Sequence, residues 1–135
     1  MPRSIALRIV AAYQVLMALA VAVNFIITPL YHPGGDAPYT AWEVMNWFMA
    51  VSVVIVLLGS YARKRRMDAE EADTRTSLEV NIVFYAALGL FLWFFWNWFG
   101  VFGDRDDGTL WAFIDPLFVL VVGPAGLRMW RAAGG

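Results

Sequence analysis

The side chains with most scope for chemistry in this chain are three carboxylates beside or within long apolar stretches: Glu43, Glu79 and Asp115. Carboxylates at such depth in a membrane segment are costly, and where they persist they serve proton relays, ion paths or substrate binding. Two of the three have a simpler use. Glu43 follows Thr40 by three residues and Glu79 follows Thr76 by three, the spacing at which a Thr hydroxyl takes an N3 amide and the Glu reaches back to the N-cap amide. Asp115 immediately precedes Pro116, whose missing N–H leaves the carbonyl of Ala112 without its helical partner. One reading makes Asp115 an N-cap with Pro116 at the first helical position. The helix from Pro116 to Met129 would then be only about 21 Å long, short of the roughly 30 Å hydrocarbon core. A helix that runs through Asp115, kinks at Pro116 and again near Gly123 and Pro124, and turns Asp115 to the bundle interior is therefore expected.

Uncharged polar residues gather at a similar depth. With alternate helices running in opposite directions, Asn24, Asn46 and Asn97 are expected, like Asp115, in the outer half of the membrane. Hydrogen bonds between helices are their plain use, at about 0.6 kcal/mol each; a polar binding pocket or ion path is the other. Rings are the third distinctive feature. Phe91, Trp93, Phe94, Phe95, Trp96, Trp98, Phe99 and Phe102 surround one segment on nearly every side, with Trp42, Trp47 and Trp111 at comparable depth. An interfacial belt explains Trp42, Trp98 and Trp111, and Trp130 at the other end. For the rest, and for Trp93 and Trp96 in particular, flat rigid rings can pack on a partner protein or hold a lipid, quinone or carotenoid. No cofactor of the chain's own is expected.

The elements that must position these groups follow from hydropathy. Of the 135 residues, 61% are hydrophobic and 16% charged, with a mean hydropathy of +0.61; a soluble domain carries about a quarter of its residues as charges. Apolar segments run from about 5 to 30, 41 to 62, 78 to 102 and 110 to 127. Each meets the roughly 17 to 25 residues that a spanning helix requires. The fold expected is all-α, a single integral membrane four-helix bundle with short loops.

Charge sets the orientation. Arg3 and Arg8 precede the first segment, Arg63, Lys64, Arg65, Arg66 and Arg75 lie between the second and third, and Arg128 and Arg131 follow the fourth. Only Arg105 falls in the other set of gaps. Short loops are those in which such a bias fixes topology, so both termini and the 63 to 77 loop are expected in the cytoplasm and the protein in the plasma membrane. Within that loop, Met67 to Thr76 reads as a short surface helix, paired weakly through Arg66 with Glu70 and Glu71 with Arg75. A cleavable signal peptide competes for the N-terminus through Arg3, Arg8 and the small residues Ala18 and Ala20. The apolar run continues to Thr28, beyond an h-region of about 7 to 15 residues, so a retained helix is expected.

Several chemistries are poorly supplied. Cysteine is absent, which removes disulfides, thiolate metal sites and cysteine nucleophiles. The single histidine, His32, cannot provide two axial haem ligands. No phosphate-binding glycine loop, zinc-binding helix or nucleophile elbow is present, Gly34-Gly35 reads as a turn, and a net charge of −1 gives no footprint for nucleic acid. Three functional classes remain, in order. The first is an accessory or assembly subunit of a larger membrane complex, of respiratory or monooxygenase type, whose partners are the lipid bilayer and other membrane subunits. Next comes a small homo-oligomeric transporter using Asp115 or Glu43, and last an enzyme of lipid or quinone chemistry.

Overall fold

The structure, a computed structural model, describes residues 2–31, 40–68, 73–103 and 108–134. They form four helices: α1 (Pro2–Tyr31), α2 (Thr40–Asp68), α3 (Thr74–Phe102) and α4 (Gly108–Gly134). At 27 to 30 residues each is about 40 to 45 Å long. All four are long and apolar enough to cross a membrane, and every helix outlasts the apolar segment that announces it.

The extensions have local causes. Arg63 to Arg66 are good helix formers, and Lys64 pairs with Asp68 one turn on at 3.0 Å, so α2 continues through the basic cluster to Asp68. At the start of α3, Asp73 acts as the cap: the Thr76 amide donates to its Oδ1 at 3.2 Å, and the Ser77 amide donates to its backbone carbonyl at 2.9 Å. The hydrogen bonds from Thr76 hold the Asp73 carboxyl below its usual range. Two expectations are corrected here. The N-cap of α3 is Asp73 rather than Thr76, which leaves Glu79 free to reach Arg63 of α2 at 3.6 Å. Among the described residues of the stretch 67–76, Met67 and Asp68 belong to α2 and Thr74 to Thr76 to α3 rather than to a surface helix of their own. The pairs placed on Glu70 and Glu71 lie outside the described residues, as do His32, Gly34, Gly35 and Arg105.

α4 runs unbroken through Pro116 and Pro124, so Asp115 is an interior helical residue and the start-signal reading falls. Neighbouring helices are antiparallel. The Ser4 hydroxyl donates to the Ala133 carbonyl at 3.0 Å, and Arg8 lies over the Trp130 ring at 5.2 Å, which brings both ends of the chain together. Trp47 meets Trp98 while Tyr61 meets Phe84, and Phe94 meets Trp111.

Each helix turns a stripe inward at three- and four-residue spacing, as packed helices do. On α1 it is Ala11, Gln14, Ala18 and Val21; on α2 Asn46, Met49, Val53, Val56 and Ser60; on α3 Val80, Ala87, Leu90, Phe94 and Trp98; on α4 Ile114, Phe118 and Val122. Outside these stripes the surface stays apolar: Ile26, Leu30, Leu58, Leu92, Trp96, Phe113 and Leu120 are all exposed.

Candidate functional site

The polar side chains sort into three levels along the bundle. At the end away from the termini, Asn24 donates through Nδ2 to the Met45 sulfur at 3.4 Å and accepts from the Tyr31 hydroxyl at 2.5 Å. Thr28 bonds the Asn24 carbonyl through its hydroxyl and accepts from the Trp42 indole at 2.9 Å. This network stitches the C-terminal part of α1 to the first turns of α2. Asn46 and Asn97 are buried nearby in sequence register on α2 and α3. Glu43 is exposed in the first turn of α2, a placement suited to the helix dipole.

Asp115 is alone among the carboxylates in being buried, 5% exposed, among the described residues. Its Oδ1 has no hydrogen-bond partner. Ile114 and Phe118 beside it are fully buried, so the carboxyl sits in an apolar layer one turn inside the ring-rich end. A buried polar oxygen left unpaired is expensive.

The middle level holds residues that hydropathy alone passed over. Gln14, 1% exposed, donates through Nε2 to the Ser52 carbonyl at 3.1 Å, and the Tyr13 hydroxyl donates to the Phe48 carbonyl at 2.6 Å. Gln14 Oε1 and Ser52 Oγ are buried without partners. The signal was present in register: Gln14 falls on the stripe of Ala11, Ala18 and Val21, so a helix period places it inside. At the third level, by the termini, Arg63 of α2 and Glu79 of α3 pair at 3.6 Å and Arg128 of α4 lies within electrostatic range of both.

The rings of α3 divide by face. Phe94 and Trp98 are buried, Trp93 and Phe95 half-buried, and Trp96, Phe99 and Phe102 exposed. Trp98 packs edge-on against Trp47 of α2 at 4.8 Å and stacks on Phe99 at 5.8 Å, while Phe102 reaches Trp47 at 6.4 Å. Trp47 is itself 61% exposed, so these rings make one continuous aromatic surface across α2 and α3. Trp96 points away from it. A shallow apolar depression of about 310 Å³ lies lower on the same two helices, between Ala50, Val51, Val54, Ile55 and Phe95.

Among the described residues, no group of three or more His, Asp or Glu is placed to hold a metal ion. Comparison with known protein families, curated proteins and solved structures finds no match. What the arrangement offers is therefore interhelical hydrogen bonding, an exposed aromatic face and a single buried carboxyl, distributed along the bundle rather than converging on one cavity.

Proposed function

We propose that the chain is a multipass accessory subunit of a larger membrane complex, inserted in the plasma membrane with both termini cytoplasmic. One observation carries this reading: the exposed rings of Trp47, Phe99 and Phe102, locked by contact with buried Trp98. Aromatic anchors held rigid before contact lose little freedom on docking and dominate subunit interfaces. The orientation rests on the basic residues, with Arg63, Lys64, Arg65 and Arg66 ending α2 and Arg128 and Arg131 ending α4.

Purification in a mild detergent followed by native mass spectrometry tests it. The wild-type chain is expected to travel with larger foreign subunits, and a Trp47→Ala, Phe99→Ala double variant to reach the membrane yet elute alone. Isolation as a homo-oligomer unaffected by that change overturns the reading. Topology has its own test, since the chain lacks cysteine: Ala132→Cys is expected to react with an impermeant maleimide only after the cells are permeabilised.

A second reading draws on the unpartnered Oδ1 of Asp115. In a small homo-oligomeric transporter this carboxyl would take the proton or cation. Uptake driven by a pH gradient in vesicles, abolished in Asp115→Asn, is the expected behaviour; equal uptake in wild type and variant removes Asp115 from any such mechanism.

A further inference from the structure

Near the end that carries the termini, α3 and α4 part to leave a groove of about 230 Å³. Ile82 and Ala86 of α3 face Leu117, Leu120 and Pro124 of α4 across it, and Arg128 closes its end. The walls are aliphatic and the mouth is cationic.

The charge at that mouth is unbalanced. Arg128 is half-buried and stands near Arg63 and Glu79, so two guanidinium groups share one carboxylate. Even that carboxylate is engaged at only 3.6 Å, through Arg63 Nη2, and it is 58% exposed. Arg63 Nη1 is buried with no hydrogen-bond partner. A buried guanidinium N–H without an acceptor is costly, and the planar fork of arginine suits the oxygens of a phosphate. Arg128 lines the groove and links it electrostatically to Arg63, so the missing acceptor calls for an anionic head group joined to a hydrocarbon chain, and a phosphate is the head group that a bilayer supplies.

We infer that the α3–α4 groove binds an anionic phospholipid, one acyl chain lying against Leu117 and Leu120 and its phosphate accepting hydrogen bonds from Arg128 and Arg63. The inference rests on the inserted, N-in orientation, which puts these arginines at the leaflet rich in anionic lipid. A neutral phospholipid fits the groove but leaves the excess guanidinium charge uncompensated. Free phosphate meets the charge and leaves the groove exposed. Only the anionic lipid satisfies both.

Native mass spectrometry of the full chain, released from vesicles of equimolar phosphatidylcholine and phosphatidylglycerol, reads the site directly. Wild type is expected to retain one phosphatidylglycerol per chain in preference to phosphatidylcholine. Arg128→Gln and Arg63→Gln should each lower that preference about fivefold, the share of one basic side chain at an anionic surface. Leu120→Trp, which fills the groove and keeps both guanidinium groups, should also lower it, and it covers the case in which an arginine variant fails to fold. Arg131→Gln, an exposed charge at the same end and outside the groove, should lower it less than either of those arginine variants. Equal retention of the two lipids, equal loss in Arg131→Gln, or displacement of the lipid by inorganic phosphate alone overturns the inference. Reaction of Ala132→Cys in intact cells would overturn the orientation instead, while the lipid preference in vesicles is read independently of it.

Discussion

The two main seams of the bundle are built on opposite plans. Between α1 and α4 the side chains are small and the backbones come close: a Cβ on Gly126 would stand 2.9 Å from Gln14 Cβ and 3.1 Å from the Val15 amide nitrogen, and one on Gly123 would touch Ala18 Cβ at 3.4 Å. Between α2 and α3 the space is filled by rings, with Trp47 against Trp98 and Tyr61 against Phe84 at 5.9 Å. Two glycines on that pair, Gly59 of α2 and Gly89 of α3, have nothing within 4 Å of a built Cβ. In lipid, where burial of apolar surface between helices gains nothing over burial in acyl chains, packing and hydrogen bonds must hold helices together. The small-residue seam does this by close approach and the ring seam by interlocking volume. A further difference follows. The first seam closes on Gly123, Gly126 and Ala18, whereas the second leaves the rings of Phe99 and Phe102 exposed at its edge.

The sharpest way to break the ring seam is to empty it. Trp98→Ala removes a side chain 6% exposed that contacts Trp47, Phe94 and Phe102, and a loss of about 3 kcal/mol is expected, the low end for a buried large aromatic because only packing is forfeited in lipid. Trp96→Ala, at a side chain 60% exposed on the same helix, should cost less than about 0.5 kcal/mol. Reversible unfolding in mixed micelles measures both. Equal costs would mean that the seam is held by something other than Trp98.

For the close seam the damaging change is an addition. Gly126→Ala drives a methyl group into the Gln14 Cβ and the α1 backbone, neither of which is a flexible chain end, and should destabilise by about 1 to 3 kcal/mol. Gly89→Ala meets no atom within 4 Å and should be neutral or gain up to about 1 kcal/mol through helix propensity. A tolerated Gly126→Ala would show that α1 and α4 can separate at no cost, and the contrast between the seams would collapse.

Much of this architecture was legible in the chain, and the limits have physical reasons. The number of helices is written in the apolar runs, since only runs of that length can satisfy their backbone internally in hydrocarbon. That Asp115 is a helical residue rather than a cap followed from length, because the segment after Pro116 is too short to span by itself. Helix ends were less accessible. α2 outruns its apolar segment because Arg and Lys propagate a helix as well as Leu does, and hydropathy reports where lipid could lie, not where the helix stops. The cap of α3 lies three residues before the one that the sequence suggests, because Thr76 and Glu79 fit a capping box while Asp73, another good cap residue, falls inside the stretch that reads as a short surface helix. Which rings of α3 face inward depends on neighbours that periodicity cannot name when a segment is aromatic all round. Arg63, Glu79 and Arg128 are far apart in sequence, and only the antiparallel packing of α2, α3 and α4 brings them together.

The smallest effect separates the seams most finely, because it asks whether polar contacts add to either. Gln14 lies on the close seam beside Gly126 and makes the one hydrogen bond described between its side chain and α2. Gln14→Leu keeps the volume, deletes that bond and also deletes the unpartnered Oε1. The first loss costs about 0.6 kcal/mol in a membrane protein, and removal of an unsatisfied buried oxygen offsets part of it. A net change within about 0.5 kcal/mol is expected, with α1 still packed on α4. A loss several times larger would mean that Gln14 works as a clamp between α1 and α2, and that the small-residue seam depends on a hydrogen bond as well as on close approach.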